Sequence, residues 1–229
     1  MICVYSRRLA LMSTPPTLGL RVRAMEMSDL SFVCASMREH LPGGFFAELG
    51  DGFLSAYLRT YATSPSGCAF VAEVDGRQVG FLVGSVDREA YRHHVMRADR
   101  GRLLRRGILS LALRPSLAIR FAHTRMNRYL RGLRRCSRVG STSPSDSRLG
   151  ILSHIAVATD ARGAGVGRDL LDSFLTVCSA HKTPRLQLFV DPSNTGARQF
   201  YQSNGWTDAS QQTDADGRQW NTMEMTLEA

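Results

Sequence analysis

Residues 151–168 read ILSHIAVATDARGAGVGR, and this stretch decides the fold of the chain. It holds most of an apolar run of strand character, Leu149–Ala158, which is followed by a glycine-rich turn, Arg162–Gly167. Apolar residues at helical spacing come next: Leu170, Leu171, Phe174, Leu175 and Cys178. Glycines allow successive backbone N–H groups to approach a ligand closely, and the start of a helix adds partial positive charge. The stretch therefore predicts a strand, a turn and a helix that can hold a pyrophosphate group.

A second motif follows, and residues 190–206 read VDPSNTGARQFYQSNGW. Asn194 stands at the mouth of a predicted helix, and Phe200 and Tyr201 lie within it. Gly205 and Trp206 come just past its end. In this order the two motifs resemble the GCN5-related N-acetyltransferase (GNAT) family.

The resemblance covers roughly residues 20–86 and 149–227. The family pattern Arg/Gln-x-x-Gly-x-Gly/Ala is matched by Arg162, Gly165 and Gly167. Its later pattern, Asn-x-x-Ala-x-x-Phe-Tyr-x-x-x-Gly-Phe, is matched by Asn194, Ala197, Phe200, Tyr201, Gly205 and, conservatively, Trp206. The turn departs mildly from the family, since Thr159 and Ala161 stand where Pro and a bulky residue are frequent.

The resemblance implies an α/β fold whose mixed central sheet is splayed open at the strand that binds acyl-CoA. The backbone of Ile155, Ala156 and Val157 would pair with the pantetheine arm. The pyrophosphate would be held by N–H groups of the turn and helix start: Arg162, Gly163, Ala164, Gly165, Val166, Gly167 and Arg168. The side chain of Asn194 would touch the cofactor. Acetyl-CoA is then a co-substrate, and no metal-binding spacing is present in the sequence.

The implied reaction moves an acetyl group from acetyl-CoA to a primary amine. An alkyl ammonium has a pKa of about 10, so a proton must leave before the nitrogen attacks the thioester. By resemblance Tyr201 protonates the departing thiolate; the alternative is a core aromatic beside Phe200, although adjacent helical residues face about 100° apart. His154 is the candidate base on the predicted strand, and its alternative is a satisfied histidine at a strand edge.

The rest of the sequence predicts one domain, residues 20–229, after a flexible leader, residues 1–19, in which Met12 is an alternative start. Leu20–Ala24 has strand character, and Ser28 is the expected N-cap of a helix that runs to His40. Apolar residues at helical spacing indicate a second helix over residues 46–58. Two apolar runs around Asp75 and Gly76 predict a hairpin, and further elements are expected at Leu186–Val190 (strand), Thr195–Asn204 (helix) and Trp220–Leu227 (strand).

Residues 88–138 hold fifteen Arg and two acidic residues, a local charge of +13 in a chain whose net charge is +9. The resemblance does not cover this segment, so we interpret about 88–148 as an Arg-rich helical insertion, with one helix expected from Pro115. Three roles are compatible with it: a flap that shapes the acceptor site, a binding surface for an acidic partner such as an acyl carrier protein or a nucleotide-sugar, or a membrane-surface helix. No nucleic-acid reading module accompanies the charge. Because the motifs lie outside residues 88–138, the segment is expected to be removable.

The five cysteines lack CxxC spacing, which indicates reduced thiols and a cytoplasmic location. The stretch His40–Leu54 is similar to acetyltransferases among bacterial polysaccharide and natural-product enzymes. That similarity favours a small-molecule acceptor, such as an amino sugar, over a protein N-terminus. The alternatives are a longer acyl-CoA or acyl carrier protein as donor, or a non-catalytic acyl-CoA-binding protein. A homodimer is compatible with the sequence.

Overall fold

The structure, a computed structural model, describes residues 19–40, 49–112, 148–214 and 217–227. Several sequence predictions lie outside these residues. They are the leader before Gly19, the start of the helix expected over 46–58, and the helix expected from Pro115.

The described strands form one sheet in the order β1-β2-β3-β4-β5-β7-β6. β4 and β5 are parallel, and all other neighbouring strands are antiparallel. The strands are β1 Leu20–Ala24, β2 Gly67–Val74, β3 Arg77–Ser85, β4 Leu149–Val157, β5 Arg185–Val190, β6 Thr207–Thr213 and β7 Gln219–Thr226. The predicted α/β fold with a mixed sheet is confirmed.

The described helices lie on both faces of this sheet. They are α1 Leu30–His40, α2 Asp51–Thr63, α3 Arg88–His94, α4 Arg100–Ala112, α5 Val166–Ala180 and α6 Thr195–Ser203. A π-helical turn, Val95–Asp99, joins α3 to α4. On one face α5 and α6 cover a core that includes Leu82, Leu170 and Phe174, and on the other face α1 and α2 cover a core that includes Val33, Leu58 and Phe81.

The entry to α1 differs from the sequence prediction, which placed the N-cap at Ser28. A 3₁₀ turn, Met27–Asp29, precedes the helix, and the buried Asp29 carboxylate accepts the Glu26 N–H at 2.7 Å. Arg23 donates to the same carboxylate at 2.6 and 2.8 Å, and Gln78 donates at 2.5 Å. These bonds, the one from Arg23 above all, lower the pKa of Asp29. The prediction of Ser28 as the N-cap is wrong. The turn at the helix entry is fixed by Asp29, whose carboxylate is bound by side chains that include one distant in sequence, Gln78.

The described half of the arginine-rich segment is packed against α2. Leu103 and Leu111 of α4 contact the buried pair Leu49 and Phe53. Arg106 donates to the Gly52 carbonyl at 2.6 Å. These contacts argue against the expectation that residues 88–138 can be removed without harm to the core.

Phe53 gives a direct test of this packing. We expect Phe53→Ala to lower the free energy of unfolding by about 3–5 kcal/mol, because a buried ring between α2 and α4 is lost. Ile108→Ala on α4 is the matched control, since Ile108 is 65% exposed and should change stability by less than about 0.5 kcal/mol. Denaturant unfolding of the full chain measures both. Equal, small effects would show that α4 does not depend on Phe53.

Candidate active site

The parallel pair β4 and β5 separates soon after it forms. The strands are paired at only three positions, from Leu149 opposite Arg185 to Ile151 opposite Gln187. β4 then continues to Val157, and β5 continues to Val190 beside β7. Among the described residues, the second half of β4 therefore has β3 on one side and no strand on the other, which leaves a gap there.

The backbone of Ile155 faces this gap. On the β3 side Ala158 donates its N–H to the Val79 carbonyl at 2.8 Å, which makes this a hydrogen-bonded pair of the antiparallel ladder. Hydrogen-bonded and non-bonded pairs alternate, so Ala156 also bonds towards β3, whereas Ile155 and Val157 point away from it. The Val157 carbonyl accepts the Arg162 Nε–H at 3.1 Å, which agrees with that direction. Ile155 therefore presents a donor and an acceptor to the gap.

The glycine-rich turn is open to a ligand. Gly163 and Gly165 have φ of +79° and +84°, values that favour glycine, and no heavy atom lies within 4 Å of where their Cβ would be. Gly165 is the N-cap of α5, so the N–H groups of Val166, Gly167 and Arg168 lie in the first turn of the helix, where they have no intrahelical acceptor. This cradle of donors at a helix start suits an anionic group.

The second motif packs directly onto this turn. The Phe200 ring lies 3.5 Å from the Cβ position of Gly167, which joins α6 to the start of α5. Asn194 is the N-cap of α6, and its Oδ1 accepts the Ala197 N–H at 3.0 Å. Asn194 as a whole is exposed. Asn194 thus has a structural task in addition to the cofactor contact that the resemblance implies.

Tyr201 lies in the core beneath α6. Its ring meets those of Phe200 and Trp206 edge to face, with centroids 5.3 and 6.0 Å apart. Phe200 and Tyr201 both pack into the α5 side of the sheet, which agrees with the alternative of a core aromatic beside Phe200. Burial raises the pKa of Tyr201, so the phenol keeps its proton at neutral pH. The raised pKa also makes proton transfer from this phenol to a thiolate less favourable than from an exposed tyrosine.

His154 lies on the opposite face of the sheet, against α2. Its Nε2 is 3.2 Å from the Tyr57 hydroxyl, and the two rings meet edge to face. Desolvation lowers the pKa of His154 to about 4. The imidazole is therefore neutral at pH 7. One of its ring nitrogens carries a proton, and the other can accept a hydrogen bond.

The described residues contain no group of three His, Cys, Asp or Glu side chains placed to hold a metal ion. Within the same ranges, no helix has the length and apolar character needed to span a membrane.

Residues 136–227 match the family model described as an acetyltransferase (GNAT) domain. The match identifies a GNAT acetyltransferase domain in this part of the chain. The enzyme class that such a domain indicates is an acyl-CoA-dependent N-acetyltransferase with acetyl-CoA as the donor. The match includes β4, the glycine-rich turn and both candidate catalytic residues. No curated protein matches the chain at a significant level.

Solved structures show the same fold over nearly the whole chain. Ard1 from Thermoplasma volcanium is 17% identical with a TM-score of 0.57, and the match covers 92% of this chain and 99% of that one. The ribosomal-protein-alanine N-acetyltransferase from Brucella melitensis is 16% identical with a TM-score of 0.56, covering 90% and 99%. PaiA N-acetyltransferase from Thermoplasma acidophilum, solved in complex with coenzyme A, is 10% identical with a TM-score of 0.51, covering 91% and 99%.

Three tyrosines near His154 were not predicted from the sequence, and Tyr57 is the one that contacts it. The Tyr57 hydroxyl is 2.8 Å from that of Tyr61, and the Tyr61 ring stacks on Tyr91 of α3 with centroids 4.8 Å apart. Tyr57 was visible only as an apolar position of a helix. Its partner His154 is 97 residues away, so no local spacing could join them.

The low pKa of His154 predicts an acid-sensitive fold. An unfolded histidine takes up a proton near pH 6.5, whereas folded His154 does so only near pH 4. Its contribution to stability is therefore full above pH 6.5 and is lost as the pH falls towards 4. The free energy of unfolding should fall by about 3 kcal/mol over this pH range because of His154. We expect His154→Gln to remove this fall when urea unfolding is measured at pH 7.0, 5.5 and 4.5. His93→Gln, at an exposed position, is the control, and the same pH dependence of the unfolding free energy in both variants would contradict the assignment.

Proposed function

We propose that the chain binds acetyl-CoA with the pantetheine arm in the gap between β4 and β5 and the pyrophosphate on the glycine-rich turn, and transfers the acetyl group to a primary amine. One observation carries the proposal: the outward-facing backbone of Ile155 and the open turn at Gly163 and Gly165 border the same gap. An extended arm can pair with a strand edge by main-chain hydrogen bonds, as an added strand does. The neighbouring helix start supplies donors for the phosphate oxygens.

The side chains fit the chemistry of this transfer. The amine nitrogen forms a bond to the thioester carbon, the C–S bond breaks, and the thiolate takes the Tyr201 proton. Coenzyme A thiol leaves, and the tyrosine recovers its proton from the ammonium centre or from water. Neutral His154 accepts a hydrogen bond from the attacking amine on the other face of the sheet. Support for the role of Tyr201 comes from the contact of its helix, α6, with the glycine-rich turn.

We propose a small hydroxylated amine, such as an amino sugar, as the acceptor. Tyr57 and the ring nitrogen of His154 offer a polar wall on the α2 side of β4. The described helices of the arginine-rich segment, α3 and α4, pack beside α2, the helix that carries Tyr57, which suits the flap interpretation. Its excess of arginine also suits an acceptor or partner that carries negative charge.

We propose that the enzyme works in the cytoplasm. Cys34, Cys68 and Cys178 are buried free thiols, as expected in a reducing compartment. Burial raises the pKa of Cys34 to about 11 and that of Cys68 to about 12, so both stay protonated and unreactive.

An acetyl-transfer assay with the full chain tests the function. Free thiol released from acetyl-CoA is followed with a panel of amino sugars, polyamines and short peptides, and with a no-amine control. We expect release that depends on an amino sugar and that falls when acetyl-CoA is replaced by a longer acyl-CoA. A preference for peptides would overturn the small-molecule acceptor. If the protein binds acetyl-CoA but no amine increases thiol release, the chain is a non-catalytic binding protein.

A further inference from the structure

The outer side of α4 brings exposed apolar side chains together. Leu104, Ile108 and Leu109 are 41%, 65% and 62% exposed. Five large apolar side chains are exposed in the described part of the chain, and these three lie within six consecutive residues of one helix. Isolated exposed apolar residues are normal on a protein surface, whereas a contiguous group marks a place of interaction. α4 therefore carries a candidate docking face.

Helical spacing arranges this face in two adjacent rows. Arg100, Leu104 and Ile108 follow one another at four-residue steps and form the first row. Arg105 and Leu109 form the second row beside it. Both arginines are exposed. We call these five residues the outer face of α4, and each of its rows joins a basic side chain to an apolar one.

The opposite side of α4 is anchored to the protein. Leu103 and Leu111 pack against the buried cluster that holds Phe53 of α2. Arg106 donates to the Gly52 carbonyl at 2.6 Å. Because these contacts fix the helix on α2, side chains of the outer face can be replaced without loss of the packing between the two helices.

The charged side chains of α4 are all basic. The helix contains four arginines and no acidic residue. Arg102 is committed to the protein, since its guanidinium pairs with the buried Asp99 carboxylate at 2.8 Å. Arg105 donates its Nε–H to the Gly101 carbonyl at 3.3 Å, which uses one of its five N–H donors. The outer face therefore keeps donors and positive charge for an external anion.

The combination of charge and apolar surface favours a lipid bilayer over a nucleic acid as the occupant. Both display phosphate groups that arginine binds. A nucleic-acid backbone is held by charge and offers no apolar phase to Ile108 and its neighbours. The boundary between headgroups and acyl chains accepts an apolar helix face that is flanked by basic side chains. Arginine suits this boundary because its charged end can stay at the phosphates while its apolar stem lies deeper.

We propose that the outer face of α4 docks on the surface of an anionic phospholipid bilayer. Arg100 and Arg105 bind lipid phosphates, and Leu104, Ile108 and Leu109 lie at the boundary with the acyl chains. The docking is peripheral and reversible, because it uses one face of a short helix. It does not depend on acetyl transfer, so its test is independent of the proposed function.

Vesicle sedimentation of the full chain, without acetyl-CoA or amine, tests the docking. We expect the protein to sediment with vesicles of phosphatidylcholine and phosphatidylglycerol in a three-to-one ratio and to stay in solution with vesicles of phosphatidylcholine alone. Raising the salt from about 0.1 to about 1 M shortens the screening distance from about 10 to about 3 Å and should release the protein. No sedimentation with the anionic vesicles at low salt would overturn the proposal.

Two variants, each with a matched control, test whether α4 is the part that binds. Arg105→Gln should lower the partition coefficient about 5-fold, because one arginine at the lipid surface is lost. Arg21→Gln, at an exposed position of β1, makes the same change of charge and should leave it nearly unchanged. Ile108→Ser should lower it about 10-fold, because an apolar side chain no longer enters the boundary. Met27→Ser, at a residue that is 43% exposed, is its control. If the test variants bind as tightly as their controls, the proposal fails.

Two other occupants of the outer face give different results. If the partner is a nucleic acid, a DNA or RNA duplex should bind the unmodified protein and Ile108→Ser equally well, and anionic vesicles should bind neither. If a second copy of the chain covers the face, analytical ultracentrifugation should show a dimer for the unmodified protein and a monomer for Ile108→Ser, again without vesicle binding. Either pattern would overturn the proposal.

Discussion

The Ala164→Glu variant should lose most of its affinity for acetyl-CoA. Ala164 is exposed between Gly163 and Gly165, so a side chain there projects from the turn that is proposed to hold the pyrophosphate. Two like charges about 4 Å apart near a protein surface repel by about 4 kcal/mol, which corresponds to a loss on the order of 10³-fold in binding. Isothermal titration calorimetry of the folded variant measures the loss.

The matched control for this variant is Ala164→Gln, which has the same length and no charge. It should weaken binding by less than about 10-fold, because only steric adjustment of the turn is required. Gly165→Glu is a poorer test, since its φ of +84° would strain any side chain and confuse stability with binding. Undiminished affinity in folded Ala164→Glu would mean that the pyrophosphate does not lie on this turn.

The Tyr201→Phe variant should lower turnover by about 10²–10⁴-fold with little change in the Kd for acetyl-CoA. The substitution keeps the ring and its contacts with Phe200 and Trp206 but removes the proton offered to the thiolate. Single-turnover acetyl transfer measures the effect on the chemical step.

A stability control separates the two roles of Tyr201. If the variant unfolds at the same denaturant concentration as the unmodified protein and turnover falls, the loss is chemical. If chemistry is shown to be rate-limiting and turnover is unchanged, Tyr201 is a packing residue of the core on the α5 side. The alternative of a core aromatic would then be correct.

The segments that the sequence predicted well carry their information locally. β4 and α5 follow from an apolar run, glycines and helical spacing within residues 149–180. The β2–β3 turn follows from Asp75 and Gly76, which both take positive φ as a tight hairpin requires. The positions of Asn194 and Gly205 at the two ends of α6 are equally local.

The segments that were missed depend on distant partners or lack an apolar face. β6, Thr207–Thr213, is exposed along its whole length at the edge of the sheet, so it shows no apolar alternation. α3 and α4 lie within the predicted helical insertion, but their packing was not predicted, because Leu103 and Leu111 meet Phe53 only in the folded chain. The low pKa of His154 likewise comes from burial, which one sequence cannot report.

Amide hydrogen exchange at Ile155 tests the central claim, that acetyl-CoA lies along β4 in the gap left by β5. The Ile155 N–H points away from β3, so in the ligand-free protein it depends on no strand partner. The account predicts that saturating acetyl-CoA slows its exchange strongly, while Ala156, already bonded to β3, changes little. Unchanged exchange at Ile155 in a protein saturated with acetyl-CoA would contradict the account.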